Sequence, residues 1–205
     1  MTNPSIRRVR GFTLIELLVV ITIIAVLASA GFSAGMAALQ KARRITALNV
    51  ATSIEQAVNN FYNEYGYLPY DDPDGKDTDI VVRTDNEKGT NFIKVLLGKE
   101  TTDSPLNTKA ISFLNNIKEG QGSATKGRDG IIYENNDPKV IFDPWGGPYY
   151  VIMNTDYDDK IEKENITPKE GNKKDLNARN VAVWSNGADG VPPNTGKSAD
   201  DVVTW

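Results

Sequence analysis

Residues 14–39, LIELLVVITIIAVLASAGFSAGMAAL, are apolar almost throughout: Glu16 is their one ionisable group, and the polar breaks are the hydroxyls of Thr22, Ser29 and Ser33. About 20 residues at ~1.5 Å each span a bilayer core of ~30 Å, so the run predicts a membrane-crossing helix. Beyond it the pattern changes without a break. Ala47, Val50, Ile54, Val58, Phe61 and Tyr65 recur every three or four positions, with Glu55, Gln56, Asn59 and Asn63 between them, which makes one apolar stripe. Gly66 and Pro69 in YGYLPY supply a stop, so a single helix is expected from about Thr13 to Tyr65.

The rest of the chain reads as short elements. Residues 71–90 are acidic and aperiodic, hence a surface loop. NFIKVLLGK sets Phe92, Val95 and Leu96 on one face before Gly98 and predicts a short helix; KAISFLNNIKEG is a second candidate, and the glycine-rich stretch through Gly130 is left unassigned. DGIIYE, KVIF, PYYVIM and NVAVW are β-branched or aromatic runs bounded by turn residues, which suggests a small antiparallel sheet. The expected fold is α+β, with a long N-terminal helix, its first half transmembrane, packed on that sheet.

At 205 residues the chain accommodates the membrane segment and one soluble domain of about 140 residues. It has no Cys and no His, which removes thiolate and imidazole ligands, disulfides, cysteine nucleophiles and His-based triads, and argues against an enzyme. Arg7, Arg8 and Arg10 precede the apolar run without an acid among residues 1–11, so the net charge of −4 becomes −7 from Phe12 onward. Nucleic acid is therefore an unsuitable partner. The same arginines place residues 1–11 in the cytoplasm and the remainder across the membrane. An ordinary signal peptide would carry an apolar stretch of only ~7–15 residues ending at a small-residue cleavage site, and this run is longer.

Gly11, Phe12, Thr13, Leu14, Ile15 and Glu16 resemble the cleavage and methylation motif shared by type IV pilins and type II secretion pseudopilins. The resemblance implies a pilin-like fold and a prepilin peptidase that cuts after Gly11 and methylates Phe12. Residues 1–11 would then be a leader, 12–38 the transmembrane helix half, 39–66 the amphipathic half, and 67–205 a periplasmic globular domain. Glu16 becomes the fifth residue of the mature chain. A carboxylate in hydrocarbon costs on the order of a few kcal/mol and needs a partner, and in the family that partner is the N-terminal amine of a neighbouring subunit. Glu16 would thus set register during assembly. Ser33 stands where many relatives have a helix-breaking proline, and Gly31 with Gly35 offers either close helix packing or local softening. Asp143, Pro144, Trp145 and Gly146 resemble the loop before the last strands of major pseudopilins, with Trp145 expected as a core anchor.

The C-terminal run after Trp184 has no periodic apolar face, and order there requires something to fix it. Asp189 on one side and Asp200 with Asp201 on the other would repel unless a cation lay between them, and a hard ion with oxygen ligands suits such a set. Ser185, Gly187, Ala188, Asp189, Gly190 and Asp201 resemble the calcium loop of the type II secretion major pseudopilin. That resemblance implies calcium in a loop over 185–205, held by the side chains of Asp189, Asp200 and Asp201 and the carbonyls of Asn186 and Ser198. Two other runs fail as sites. Asn154, Asp156 and Asp158 begin an EF-hand pattern, but Asp159 and Asn165 replace its glycine and glutamate, so a charged hairpin turn is expected; GVPPNTGKS has the wrong glycine spacing for a phosphate loop.

These readings lead to a structural subunit, closest to the major pseudopilin, in the periplasmic filament that drives type II secretion. Its partners would be copies of itself and other pseudopilins, the prepilin peptidase and the inner-membrane secretion platform. Its location would be the inner membrane, single-pass, with a periplasmic C-terminal domain. The alternative is a type IV pilin or minor pilin for attachment, motility or DNA uptake. A membrane-anchored hydrolase or carbohydrate-binding module would require paired carboxylates in a cleft, and no acidic pair among the strands suggests one.

Overall fold

The computed structural model describes residues 12–70, 79–162, 175–191 and 201–205. The chain divides into two compact units, Met1–Ala42 and Arg43–Trp205. One helix, α1 (Leu14–Tyr65), contributes to both.

In the first unit α1 presents its apolar side chains outward, with Leu14, Ile24 and Phe32 all exposed, and the helix is long and apolar enough to cross a membrane. Two of its hydroxyls are satisfied within the helix: Thr22 Oγ1 donates to the Leu18 carbonyl at 2.6 Å and Ser29 Oγ to Val26 at 2.8 Å. Back-bonding of this kind spares those two hydroxyls from facing lipid unpaired. Gly31 and Gly35 have open space around them, so nothing within a single chain explains them.

In the second unit the predicted stripe is the buried face of α1. Ala47, Ala51, Ile54, Val58 and Phe61 are completely buried. The helix ends at Gly66, which has φ 78° and donates its N–H to the Tyr62 carbonyl at 2.7 Å, a left-handed cap that glycine adopts without penalty.

This half of α1 packs on a four-stranded antiparallel sheet made of β1 (Ile80–Arg83), β6 (Tyr149–Met153), β9 (Val181–Ser185) and β10 (Val202–Val203), in the order β1-β6-β9-β10. Val82 pairs with Val151 and Val151 with Val183, and these residues share the core cluster of α1 together with Tyr149, Met153 and Val181. The alternate residues Ile152, Ala182 and Trp184 form a second cluster, capped by Ile161. Period-two alternation thus gives the sheet two apolar faces. The architecture is α+β, a long N-terminal helix on a small antiparallel sheet, as the pilin-like fold requires.

The remaining elements close the core. α2 (Glu87–Leu97) starts at Asn86, whose Oδ1 accepts from Gly89 N at 2.8 Å, and stops at Gly98 with φ 64°. Two hairpins, β2 (Gln121–Ser123) with β3 (Lys126–Arg128) and β4 (Gly130–Glu134) with β5 (Asp137–Phe142), lie between α2 and β6 in sequence. A further two-residue pair joins β7 (Lys160–Ile161) to β8 (Leu176–Asn177).

Several expectations are corrected. The acidic loop over 71–90 contains β1 and the start of α2; four strand residues flanked by acids are too few to show a period. KAISFLNNIKEG is not a helix. Ala110 is left-handed (φ 50°), and Asn107 ties the backbone in an extended path by accepting from Ile111 N at 3.0 Å and donating to the Ile111 and Val95 carbonyls. Leu114 reaches the core from that path. DGIIYE and KVIF form their own hairpin and do not join the main sheet, and the glycine-rich stretch before Gly130 holds β2 and β3. Trp145 is half-buried at the rim of its turn. The buried anchor is Trp184, 1% exposed, stacked on Tyr150 at 5.1 Å and met edge-on by Trp205 at 6.1 Å.

Candidate assembly site and C-terminal loop

Thr13 caps α1. Its hydroxyl accepts from Glu16 N at 3.3 Å, while the Glu16 carboxylate takes the Thr13 main-chain N–H at 2.8 Å and the Thr13 hydroxyl at 2.7 Å. This is a reciprocal capping box: a threonine and a glutamate three residues apart satisfy donors that a helix start otherwise leaves open. The TLIE spacing carried that signal ahead of the apolar run, and reading Glu16 only as an isolated charge missed it. Phe12, directly before the cap, is 76% exposed. Gly11 lies outside the described residues. Glu16 therefore stands one helical turn from the residue that cleavage would make the N-terminus, with its carboxylate turned toward that end.

The expected cation loop starts at a hydrogen-bonded hub. Asp143 is buried, and its Oδ1 accepts from the N–H groups of Trp145, Gly146 and Gly147 at 2.9, 2.8 and 2.8 Å, closing the turn between β5 and β6. Its Oδ2 accepts from Ser185 Oγ at 2.5 Å, and Ser185 Oγ in turn accepts from Gly187 N at 3.1 Å. Burial pushes the Asp143 carboxyl up, against the pull of Ser185 and the three amides.

Beyond the hub, Asn186 is 6% exposed; its Nδ2 donates to Tyr150 Oη at 3.3 Å, and its Oδ1 is buried with no hydrogen-bond partner among the described residues. Asp189 is exposed and takes Val191 N at 2.9 Å, closing an Asx turn. Asp201 is 3% exposed. Asp200 and Ser198 lie outside the described residues, and among the described residues no three acidic side chains are grouped to hold a metal. Asn186 and Asp201 are both buried beside the β9–β10 pairing, where Val202 stands opposite Ser185. The EF-hand-like acids are committed otherwise: Lys160 pairs with Asp158 at 3.4 Å and with Glu162 at 3.1 Å.

The C-terminal strand is fixed by two arginines that the sequence reading did not single out. Arg44 of α1 donates to the Asp201 carbonyl at 3.4 Å. Arg179 bridges Glu55 of α1 at 2.9 Å and the Thr204 carbonyl at 3.3 Å. Thr204 also exchanges bonds with Val183 of β9, both at 3.1 Å. The terminal residues 201–205 are thus ordered by polar contacts with α1 and β9, which a reading confined to apolar periodicity does not reveal.

The family model for the prokaryotic N-terminal methylation motif matches residues 6–32. Comparison with curated proteins and with solved structures gives no match. The matched stretch covers residues 6–11 of the predicted leader, Phe12, the Thr13–Glu16 capping box and most of the exposed apolar half of α1. Such a motif implies processing by a prepilin peptidase and assembly into a filament. The chain therefore carries an N-terminus of the type IV pilin-like kind, common to pilins and pseudopilins.

Proposed function

We propose that the chain is a pseudopilin, a structural and non-catalytic subunit of the periplasmic filament that drives export through a type II secretion system. The observation that carries this reading is a carboxylate inside an exposed apolar helix, held next to the position where processing would release a new amine. Hydrolysis of the Gly11–Phe12 bond converts an amide into the carboxylate of the leader and the α-amine of Phe12, and methylation leaves that amine cationic. Glu16, parked on Thr13 in the single chain, then has a full positive charge to meet on a neighbouring subunit. In hydrocarbon, opposite charges attract with little screening, so correct register is favoured over any arrangement that strands the acid. Copies stacked head to tail by such a contact form an open rod. The subunit waits in the inner membrane with its second unit on the periplasmic side.

Secretion is favoured over a surface pilus by the C-terminal loop. The chain has no cysteine pair to close it, and its oxygen ligands suit calcium instead. Asp189, Asp200 and Asp201, with the Asn186 and Ser198 carbonyls, would hold the ion, which when bound supplies charge neutralisation and a cross-link within the loop. Deleting the gene tests the assignment. Accumulation of exported proteins in the periplasm with surface adherence and motility intact is the expected outcome. Intact export with loss of attachment, motility or DNA uptake would instead assign a type IV pilin or minor pilin.

A further inference from the structure

We propose that the β2–β3 hairpin is a flap that lifts by itself from the outer face of the β4–β5 hairpin, pivoting at its base while the rest of the second unit stays folded. The β4–β5 hairpin alternates its side chains between two faces. Ile131, Tyr133 and Ile141 belong to the main core with α1. Ile132, Val140 and Phe142 form a separate cluster on the other face, at 2%, 3% and 5% exposure. Their cover is almost devoid of apolar side chains. Residues 121–128, QGSATKGR, carry only Ala124, and it packs on that cluster.

The rest of the cover is main chain. A Cβ on Gly127 would lie 2.7 Å from Phe142 Cδ2 and 2.9 Å from Ile132 Cδ1, so the backbone of β3 rests directly on both side chains. β2 and β3 pair only with each other, Gln121 opposite Arg128 and Ser123 opposite Lys126. Side-chain hydrogen bonds close within the hairpin too: Arg128 Nη2 donates to Gln121 Oε1 at 3.4 Å, and Ser123 Oγ accepts from Lys126 N at 3.2 Å. The fastenings sit at the base. Gly120 N donates to the Ile131 carbonyl at 2.8 Å, Asp129 N to the Asp143 carbonyl at 2.8 Å, and Lys118 pairs with Asp129. Asp129 (φ 62°) and Gly130 (φ 136°) turn the chain there. Few buried apolar contacts and solvent-exposed hydrogen bonds mark a segment that opens at less than the global unfolding free energy. Lifting it bares Ile132, Val140 and Phe142, which keeps the open state a minor one.

The chain has no cysteine, so a single introduced thiol reports the opening. Val140→Cys puts one under the flap, and Val183→Cys puts one on β9 in the main core, where the valine is completely buried. The full chain in detergent is treated with a thiol reagent at urea concentrations below its unfolding transition. The flap predicts that Val140→Cys is labelled at least about tenfold faster than Val183→Cys, at a rate nearly independent of urea. Gly127→Ala, whose methyl would press on Phe142 and Ile132, should speed labelling of Val140→Cys about tenfold more and leave Val183→Cys within about twofold. Equal rates with the same urea dependence would mean that the hairpin opens only when the whole unit unfolds, and would overturn the flap. Faster labelling that Gly127→Ala leaves unchanged would put the opening elsewhere and overturn it as well. Should Val140→Cys fail to fold, trypsin on the wild type decides. Cleavage after Lys126 or Arg128 while tryptophan fluorescence stays native supports the flap, and resistance there up to the global transition overturns it.

Discussion

The carboxylate of Glu16 takes both the main-chain N–H and the hydroxyl of Thr13, so the one acid of the apolar helix is bonded back toward its own N-terminus. A neutral amide at position 16 retains the shape and a hydrogen bond to Thr13 but loses the charge that a neighbour's amine would recognise. Glu16→Gln should therefore enter the membrane at the wild-type level and lose at least about tenfold in filament cross-linking. Thr13→Ala removes only the cap, worth about 1 kcal/mol of helix start, and should assemble better than Glu16→Gln. Membrane fractionation with cross-linking reads both.

Gly89 fixes how closely α2 approaches the strand before it. A Cβ built there would lie 2.0 Å from the Arg83 carbonyl oxygen and 2.8 Å from Thr84 Cα, both backbone atoms that cannot swing aside. Alanine normally gains up to about 1 kcal/mol over glycine inside a helix. Here overpacking should outweigh that gain and leave Gly89→Ala destabilised by about 2 kcal/mol. Urea unfolding followed by tryptophan fluorescence checks the sign.

Asp137 ties the β4–β5 hairpin to α2 through Lys94 at 3.0 Å and also pairs with Lys139 of its own strand at 2.7 Å. Hydrogen bonds from Lys139 first, then Lys94, hold its carboxyl below the usual aspartate range. An acid with a depressed folded pKa stabilises the fold fully above its unfolded pKa. That contribution is lost as pH falls through the folded value. The urea midpoint of Asp137→Asn should accordingly be lower than wild type at neutral pH, modestly because the group is partly exposed, and the two should converge at strongly acidic pH.

Arg179 is one of two arginines that link α1 to residues 201–205. Arg179→Met keeps the aliphatic stem but frees Glu55 and the Thr204 carbonyl, at a cost of about 1 kcal/mol for a partly exposed charged pair. The expected result is faster carboxypeptidase trimming from Trp205 with the main core unfolding little earlier. Unchanged trimming would show that β9 pairing and Arg44 hold the strand without Arg179.

The sequence made some of this legible and hid the rest for physical reasons. The spine was plain because its signal repeats over many turns: the uninterrupted run to Leu39 and the stripe from Ala47 to Tyr65 predict a helix from Thr13 to Tyr65, and α1 spans Leu14–Tyr65. The β6 and β9 strands were legible from dense β-branched and aromatic runs. β1 was not, since four residues among acids give no period, and residues 109–119 misled because their apolar side chains serve the core from an extended path set by Asn107. At the candidate sites the acids Glu16, Asp189 and Asp201 were singled out by type and place, and the roles given to them are proposals. Arg44 and Arg179 could not be, because tertiary hydrogen bonds to backbone leave no pattern in the chain, whereas the TLIE spacing did announce Thr13.

Intact-mass spectrometry of the protein purified from its native membrane reads directly the N-terminus that processing would create. The predicted result is a mature chain that has lost residues 1–11 and begins at a methylated Phe12. A chain still starting at Met1, or one cut beyond Ala30, would contradict it.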